Sequence, residues 1–389
     1  MVNLGEIKTV GLALQGGGSH TAFSWGALDR LLGEVAAGKL RIAAISGTSG
    51  GALNGAACVY GLITGGADEA KRLLRELWDG ISAQSLWPPD PIRMLLPKDS
   101  TARWNVDWTP TAIGAGIAEQ IYSPYYDVFY SNPLDELIRR LIPDFGRLNR
   151  GDHGAPKLFV CATEVNRTAR RIFRQPEITP DILLATSCYP TLFQAIEVDG
   201  SFCWDGGYMG NPALNPLVDC ADDLLTISVN PLDRGGGPPK TPREIVNRIN
   251  EISFNSSWVM EVRQILLINQ LLERQWLRGG PYRPKRFHII RDDTFMEAIG
   301  VASKQNPSRD FVYELFDRGR MAADKWLAEH LAEVGQSSSF DVDAEVALRL
   351  EGSAQAEPRP RSKQASETKL DVSTRSTSPQ PHEMGESDG

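Results

Sequence analysis

The stretch Gly47-Thr48-Ser49-Gly50-Gly51 constrains this chain more than any other. It follows a short apolar run, Ile42-Ala43-Ala44-Ile45, and leads into small residues from Ala52 to Ala57. That order predicts a strand, a tight Gly-x-Ser-x-Gly turn and a helix. A serine on such a turn sits in strained backbone, and its neighbours must lack Cβ so that chain and ligand can approach closely. Its oxygen then points outward at a helix N-terminus, where backbone N–H groups favour developing negative charge.

The surrounding pattern extends this local reading to a fold. Val10 to Leu14 reads as a buried strand, and Leu28, Leu31, Leu32 and Val35 form a helical stripe. Ala70, Leu73, Leu74, Leu77, Trp78 and Ile81 mark a second, strongly amphipathic helix. Further on, Lys157–Ala162, Arg171–Phe173, Leu224–Val229 and Phe287–Ile290 read as strands. Leu134–Leu141, Asp181–Ser187, Pro242–Leu277 and Phe311–Val334 read as helices. Ile196–Val198 and Ser201–Trp204 flank an Asp199-Gly200 turn, the signature of a hairpin. Strands alternating with helices predict an α/β fold with a mainly parallel sheet.

Between about Ser82 and Asn132 the pattern breaks. Prolines punctuate this segment, and tryptophans and tyrosines are scattered through it. It is expected to be an irregular insertion that walls or covers the active face. From Glu351 the chain is Ser, Pro, Glu, Gln and Lys with almost nothing to bury. The expected organisation is one domain over 8–335, with a motif-bearing core at 10–217 and a helical part at 218–335. A disordered tail is expected over 336–389.

Charge and cysteine usage narrow the partners. A formal net charge of −8 argues against nucleic acid, whose phosphates need a basic surface. Five cysteines without a Cys-x-x-Cys pair fit neither a disulfide framework nor a zinc ribbon. They read as buried core residues of a protein in a reducing compartment. Neither a secretory leader nor a membrane-spanning run is expected, so the predicted location is cytoplasmic, with at most transient contact to a membrane surface. The sequence leaves the oligomeric state open.

Two further motifs carry chemistry. Gly16-Gly17-Gly18 follows the first strand and opens a helix, so its N–H groups can converge on an anion. Thr21 stands where a dinucleotide fingerprint needs glycine, and no Gly-Lys-Ser/Thr follows, so an oxyanion hole is the better reading. Asp205-Gly206-Gly207 ends the hairpin; alone, it would be an ordinary turn.

Together the three motifs resemble the patatin-like phospholipase family, in its bacterial branch. Trp25-Gly26-Ala27-Leu28, Asn132-Pro133-Leu134, Ala185 to Pro190 and Gly210-Asn211-Pro212-Ala213 add to the likeness. It covers about Val10 to Leu217 well, and the helices up to about Val334 more loosely. The resemblance implies a three-layer α/β/α sandwich around a mixed, mostly parallel sheet, and hydrolysis of carboxylic, lipid or phospholipid acyl, esters without metal or cofactor. Ser49 would be the nucleophile and Asp205 the proton acceptor, a dyad without histidine. The N–H groups of Gly17, Gly18 and Gly50, with Gly16 beside them, would hold the oxyanion. Gly47, Gly51, Gly206 and Gly207 would support the turns. The family loop usually carries Arg or Lys and then Gly after Gly-Gly-Gly-x, whereas His20 and Thr21 stand here. His20 is expected to brace the loop.

Two other readings compete. An α/β-hydrolase triad would recruit His288, which follows Asp205 in the required order. Its apolar setting and the single strand before the serine turn weigh against it. A non-catalytic lipid-binding or scaffold protein would not require all three motifs together.

Overall fold

In the computed structural model, the described residues are 7–84, 96–97, 100–107, 109–127, 130–152, 154–233, 237–277 and 280–350. Among them, one sheet of eight strands organises the chain. The strands are β1 (Lys8–Leu14), β2 (Leu40–Thr48), β3 (Lys157–Glu164), β4 (Ala169–Arg174), β5 (Ile196–Val198), β6 (Ser201–Asp205), β7 (Asp223–Ile227) and β8 (Arg286–Ile290). Their order is β5-β6-β3-β2-β1-β7-β8, with β4 also on β3. The run from β3 to β8 is parallel, whereas β4, β5 and β6 pair antiparallel. The sheet is therefore mixed and mostly parallel, as the strand–helix alternation predicts.

Helices cover both faces, and the period of two along each strand decides which side chain meets which layer. Val10, Leu12 and Leu14 of β1 face the larger core with Ile42, Ile45 and Val160. That core holds α1 (Ala22–Ala36), α2 (Gly50–Ala83), α4 (Pro133–Leu141), α6 (Pro180–Thr186) and α10 (Arg309–His330). Ala13, Ala44 and Phe159 face the other way, toward α7 (Asn215–Val218), α8 (Pro242–Glu273) and α11 (Val342–Leu350). The result is a three-layer α/β/α sandwich. Helices α1 and α10 cross at backbone contact: a Cβ on Gly26 would strike the Phe316 carbonyl, and one on Gly319 the Phe23 carbonyl.

The structure corrects two expectations. The ordered chain does not stop at 335. Val342 and Val346 on α11 are buried in the second core beside Trp258 and Phe287, so the domain reaches Leu350. The rest of the expected tail, 351–389, lies outside the described residues. Nor is the insertion irregular throughout, since α3 (Pro110–Ile121) runs through it. Thr109 caps this helix by accepting from the Ala112 N–H, and Pro110 takes the first turn, where no N–H is needed. The proline that suggested a break marks a helix start. Trp87, Trp108 and Phe129 of this segment lie outside the described residues. The smaller elements are α5 (Phe145–Arg150) and α9 (Asp293–Ile299).

The expected separation at 217/218 does not divide the architecture, because β7 and β8 complete the sheet and α10 packs on α1. Cys58, Cys161, Cys188 and Cys203 are buried and unbridged, and Cys220 is half-buried and unbridged. Among the described residues no helix is long and apolar enough to cross a membrane.

Candidate active site

Strand register brings Ser49 and Asp205 together. β4 lines one edge of β3 from Phe159 to Glu164. The other edge is shared: β2 pairs with it up to Thr48–Cys161, and β6 takes over from Asp205–Ala162. The chain of β2 leaves the sheet at Ser49, and the antiparallel β6 ends beside that exit at Asp205. A one-residue slip of β6 would turn the Asp205 side chain to the other face of the sheet.

Ser49 joins β2 to α2 with φ 55° and ψ −131°. A non-glycine residue there stores about 1–3 kcal/mol of strain unless its surroundings over-determine it. They do. The Ser49 N–H donates to Thr186 Oγ1 at 2.9 Å, and the Thr186 hydroxyl donates to the Cys161 carbonyl at 2.5 Å. The Ser49 carbonyl accepts from Ala52 and Leu53. Gly47 and Gly51 leave room for close backbone approach: a Cβ on Gly47 would lie 2.7 Å from Ala52 Cα, and one on Gly51 2.6 Å from the Gln15 carbonyl.

The Ser49 hydroxyl hydrogen-bonds to the Asp205 carboxylate. Asp205 is only 4% exposed. Burial raises its pKa from the ordinary 3.8 to about 6, against the opposing pull of the Ser49 hydroxyl, the Gly207 N–H and the Lys304 ammonium. Asp205 Oδ1 accepts from the Gly207 N–H at 2.8 Å, and the Asp205 main chain is pinned by Cys188 and Thr163. Gly206 packs on the Cys161 carbonyl, and Gly207 lies under the Phe254 ring.

The glycine loop faces this pair. The N–H groups of Gly17, Gly18 and Gly50 have no hydrogen-bond acceptor among the described residues. Gly18 has φ +56°, and a Cβ there would strike the Lys304 carbonyl. Gly16 differs from the expectation. Its N–H donates to Asn211 Oδ1 at 2.6 Å, and its carbonyl accepts from Asn230 Nδ2 at 2.8 Å and Asn211 Nδ2 at 3.3 Å. Gly16 is thus a fixed anchor of the loop and offers no donor. Gln15 completes the anchor: buried, its Oε1 accepts from the N–H groups of Val229 and Asn230.

His20 is buried, with Nε2 2.7 Å from Ser303 Oγ and its ring edge-on to Phe311. The Ser303 hydroxyl donates to the Gly300 carbonyl, so it accepts from His20 Nε2–H. His20 therefore ties the loop to the turn at Ala302–Gln305 and does not line the cavity. That turn delivers Lys304, whose ammonium reaches the cavity wall and donates to Asn230 Oδ1 at 2.7 Å. Lys304, Asn230 and Gln15 are not flagged by the sequence motifs. Gln15 and Asn230 do follow the C-terminal ends of β1 and β7, the rim where parallel sheets place their sites.

A cavity of about 810 Å³ opens over Ser49, Asp205 and the loop. Leu53, Trp78, Ile81, Leu134 and Phe193 give it an apolar wall, and Ile113 and Ile117 of α3 stand in the same wall. Such a volume lies at the upper end of the ~300–1,000 Å³ usual for ligand sites.

The structure removes His288 from this site. Its Nε2 lies 2.9 Å from Asp223 Oδ1, and Arg286 pairs with the same carboxylate. These contacts hold the Asp223 carboxyl far below its ordinary range. By register His288 stands three strands from Ser49 and four residues lower in the sheet, about 15–20 Å away.

Fold and cavity define an α/β protein with a strained serine in a cleft walled largely by apolar side chains. A family model for patatin-like phospholipase matches residues 12–218, more than half of the chain, and the chain belongs to that family. Comparison with curated proteins found no match. Among solved structures, VipD from Legionella pneumophila is similar at 15% identity with a TM-score of 0.33, over 79% of this chain and 66% of that one. A structure of full-length ExoU with full-length SpcU, from the type III secretion system of Pseudomonas aeruginosa, is similar at 14% identity and a TM-score of 0.28. There the match covers 82% of this chain and 53% of that one. The chain thus spans about two thirds and about half of these two.

Proposed function

We propose that this protein hydrolyses carboxylic esters of lipids through a Ser49–Asp205 dyad and an acyl-enzyme. The observation that carries the reading is the Ser49 hydroxyl bonded to a buried carboxylate, in a cavity also lined by Gly17, Gly18 and Gly50, whose N–H groups have no acceptor among the described residues. Serine is a poor nucleophile unless its proton leaves as it attacks. An Asp205 with a pKa near 6 is ionised at neutral pH, yet basic enough to take that proton.

Ser49 Oγ bonds to the ester carbonyl carbon while its proton passes to Asp205. The carbonyl π pair becomes an oxyanion, held by the N–H groups of Gly17, Gly18 and Gly50. Losing one such donor typically costs about 10²–10³ in rate. Collapse breaks the C–O bond to the alcohol, and Asp205 returns the proton to the leaving oxygen. Water, deprotonated by Asp205, then attacks the acyl-Ser49 carbon. Collapse of this second intermediate releases the acid and restores the serine.

The mouth of the cavity suits a substrate held in a lipid surface. Ile113 and Ile117 of α3 and Val246 of α8 line the cavity and are exposed, and Ile121, one turn beyond Ile117, is 76% exposed. We assign this apolar rim to transient membrane contact, driven by burial of apolar side chains, since a net charge of −8 disfavours attraction to anionic bilayers.

Labelling by a fluorophosphonate tests the dyad. Ser49 is expected to be modified, and Ser49→Ala to lose labelling and at least about a thousandfold in turnover while staying folded. Folded protein with an unlabelled Ser49 would point to a binding module instead.

A further inference from the structure

The cavity walls differ in their polar groups. Leu53, Trp78, Ile81 and Leu134, on α2 and α4, form one lobe without a charged side chain. On the other side α8 contributes Pro242, Val246, Asn247, Asn250 and Phe254, and the Ala302–Gln305 turn contributes Lys304 and Gln305, so this lobe carries the cation. Asn247, Asn250 and Phe254 are spaced three and four apart on α8, so they share one face of that helix. Lys304 Nζ stands 5.4 Å from the Phe254 ring centre.

The ammonium is held in place from several directions. Asn230 accepts it on Oδ1 and, through its amide, donates to the Gly16 carbonyl, so one side chain links cation and glycine loop. The Lys304 carbonyl packs against Gly18, and His20 fixes the neighbouring Ser303. The cation therefore sits at a set height above the loop that faces the reacting carbonyl. A fixed ammonium on a wall that also carries Asn247 and Asn250 complements one negative charge. The apolar lobe has no such group among its lining residues named above and suits hydrocarbon.

We propose that the Lys304 lobe is a subsite for a singly charged anionic group on the alcohol side of the scissile ester, a phosphodiester, with the acyl chain in the opposite lobe. This rests on the hydrolase reading of the site. It makes Lys304 a specificity residue that separates phosphodiester-bearing lipids from neutral glycerides.

The test compares dihexanoylphosphatidylglycerol with dihexanoylglycerol. Both are used as monomers at about pH 8, where Asp205 is ionised in every variant. The two esters share acyl chains and differ in the phosphodiester head group. Lys304→Met is expected to lower the phosphodiester-to-neutral ratio of kcat/KM about 10- to 100-fold, the usual span for a lost charge-assisted contact. Lys304→Arg is expected to keep the ratio within about threefold, because the charge is retained. Should Lys304→Met unfold, Lys304→Gln keeps a donor for Asn230 and carries the same expectation. An unchanged ratio, or a parallel fall on both esters, would overturn the subsite. A second arm measures calorimetric affinity for the two esters in Ser49→Ala, with and without Lys304→Met, and expects the same loss of discrimination. Wild type that hydrolyses neither ester would sink the hydrolase reading, while the affinity arm still decides the subsite.

Discussion

Asp205→Asn should make the folded protein more stable while it abolishes turnover. Asp205 is buried, and its pKa lies near 6 against an ordinary 3.8. A carboxyl whose pKa is raised on folding favours the folded state only while protonated. Its contribution is fully present below about pH 3.8 and is lost as pH rises through 6. A shift of about two units at ~1.36 kcal/mol each makes the ionised carboxylate cost the fold about 3 kcal/mol above pH 6. Asparagine removes the charge, and its oxygen can still accept from the Gly207 N–H. The variant should therefore gain up to about 3 kcal/mol at pH 8, with Tm higher by several degrees. The assay is urea unfolding followed by tryptophan fluorescence, run on both proteins from about pH 4 to 8. The gap between them should be small at pH 4, grow between 4 and 6, and then level off. All other carboxyls are common to the two proteins and cancel. A gap that is flat with pH, or an Asn variant that is weaker at pH 8, would refute the claim that burial of a charged base is what raises the pKa.

Other consequences are simpler to measure. Since only ionised Asp205 can accept the serine proton, kcat/KM on a soluble ester should fall about tenfold per pH unit below 6, which a pH–rate profile checks. His288→Ala strips a buried partner from Asp223 and should cost about 2–4 kcal/mol in denaturant unfolding. Turnover per folded molecule should stay within about twofold, whereas a Ser-Asp-His triad would lose nearly all of it. Ile121→Asp places charge on the exposed rim, one turn from Ile117 and outside the cavity lining. Hydrolysis of phosphatidylcholine vesicles should drop at least about tenfold while a soluble short-chain ester is cleaved as before. Equal turnover on vesicles would remove the rim from lipid contact.

What the sequence made legible is what local pattern encodes. Strands β1, β2, β7 and β8 announce themselves as short apolar runs, and the hairpin β5–β6 by Asp199-Gly200, both with positive φ. The glycine turns are legible because backbone approaches backbone there, and only glycine permits it. Helix α3 was hidden because its Ala, Gly and Ile residues give no polar face, and Pro110 looks like a breaker until Thr109 is seen to cap it. Helix α11 was hidden in a tail whose later composition is polar. Gly16, expected at the oxyanion and substrate site, lines the cavity but gives its N–H to Asn211, far along the chain. No local signal marks that pairing.

The departure at His20 gains its meaning from the same kind of distant contact. On the sequence alone, a histidine where the family usually has a cation leaves the loop without positive charge. In the fold His20 is turned into the protein, and its imidazole holds Ser303. The residue after Ser303 is Lys304, which reaches the cavity and is felt by Asp205. The cation is thus supplied from outside residues 12–218, the span of the family match. Asn230, which seats both the loop and the ammonium, also lies outside it, as does Phe254, which covers Gly207. The motifs of residues 12–218 bring Ser49, Asp205 and the N–H groups of Gly17, Gly18 and Gly50 to one cavity. The later strands and helices hold the glycine loop and place the Lys304 ammonium beside it, so on the reading proposed above the C-terminal part carries the choice of head group.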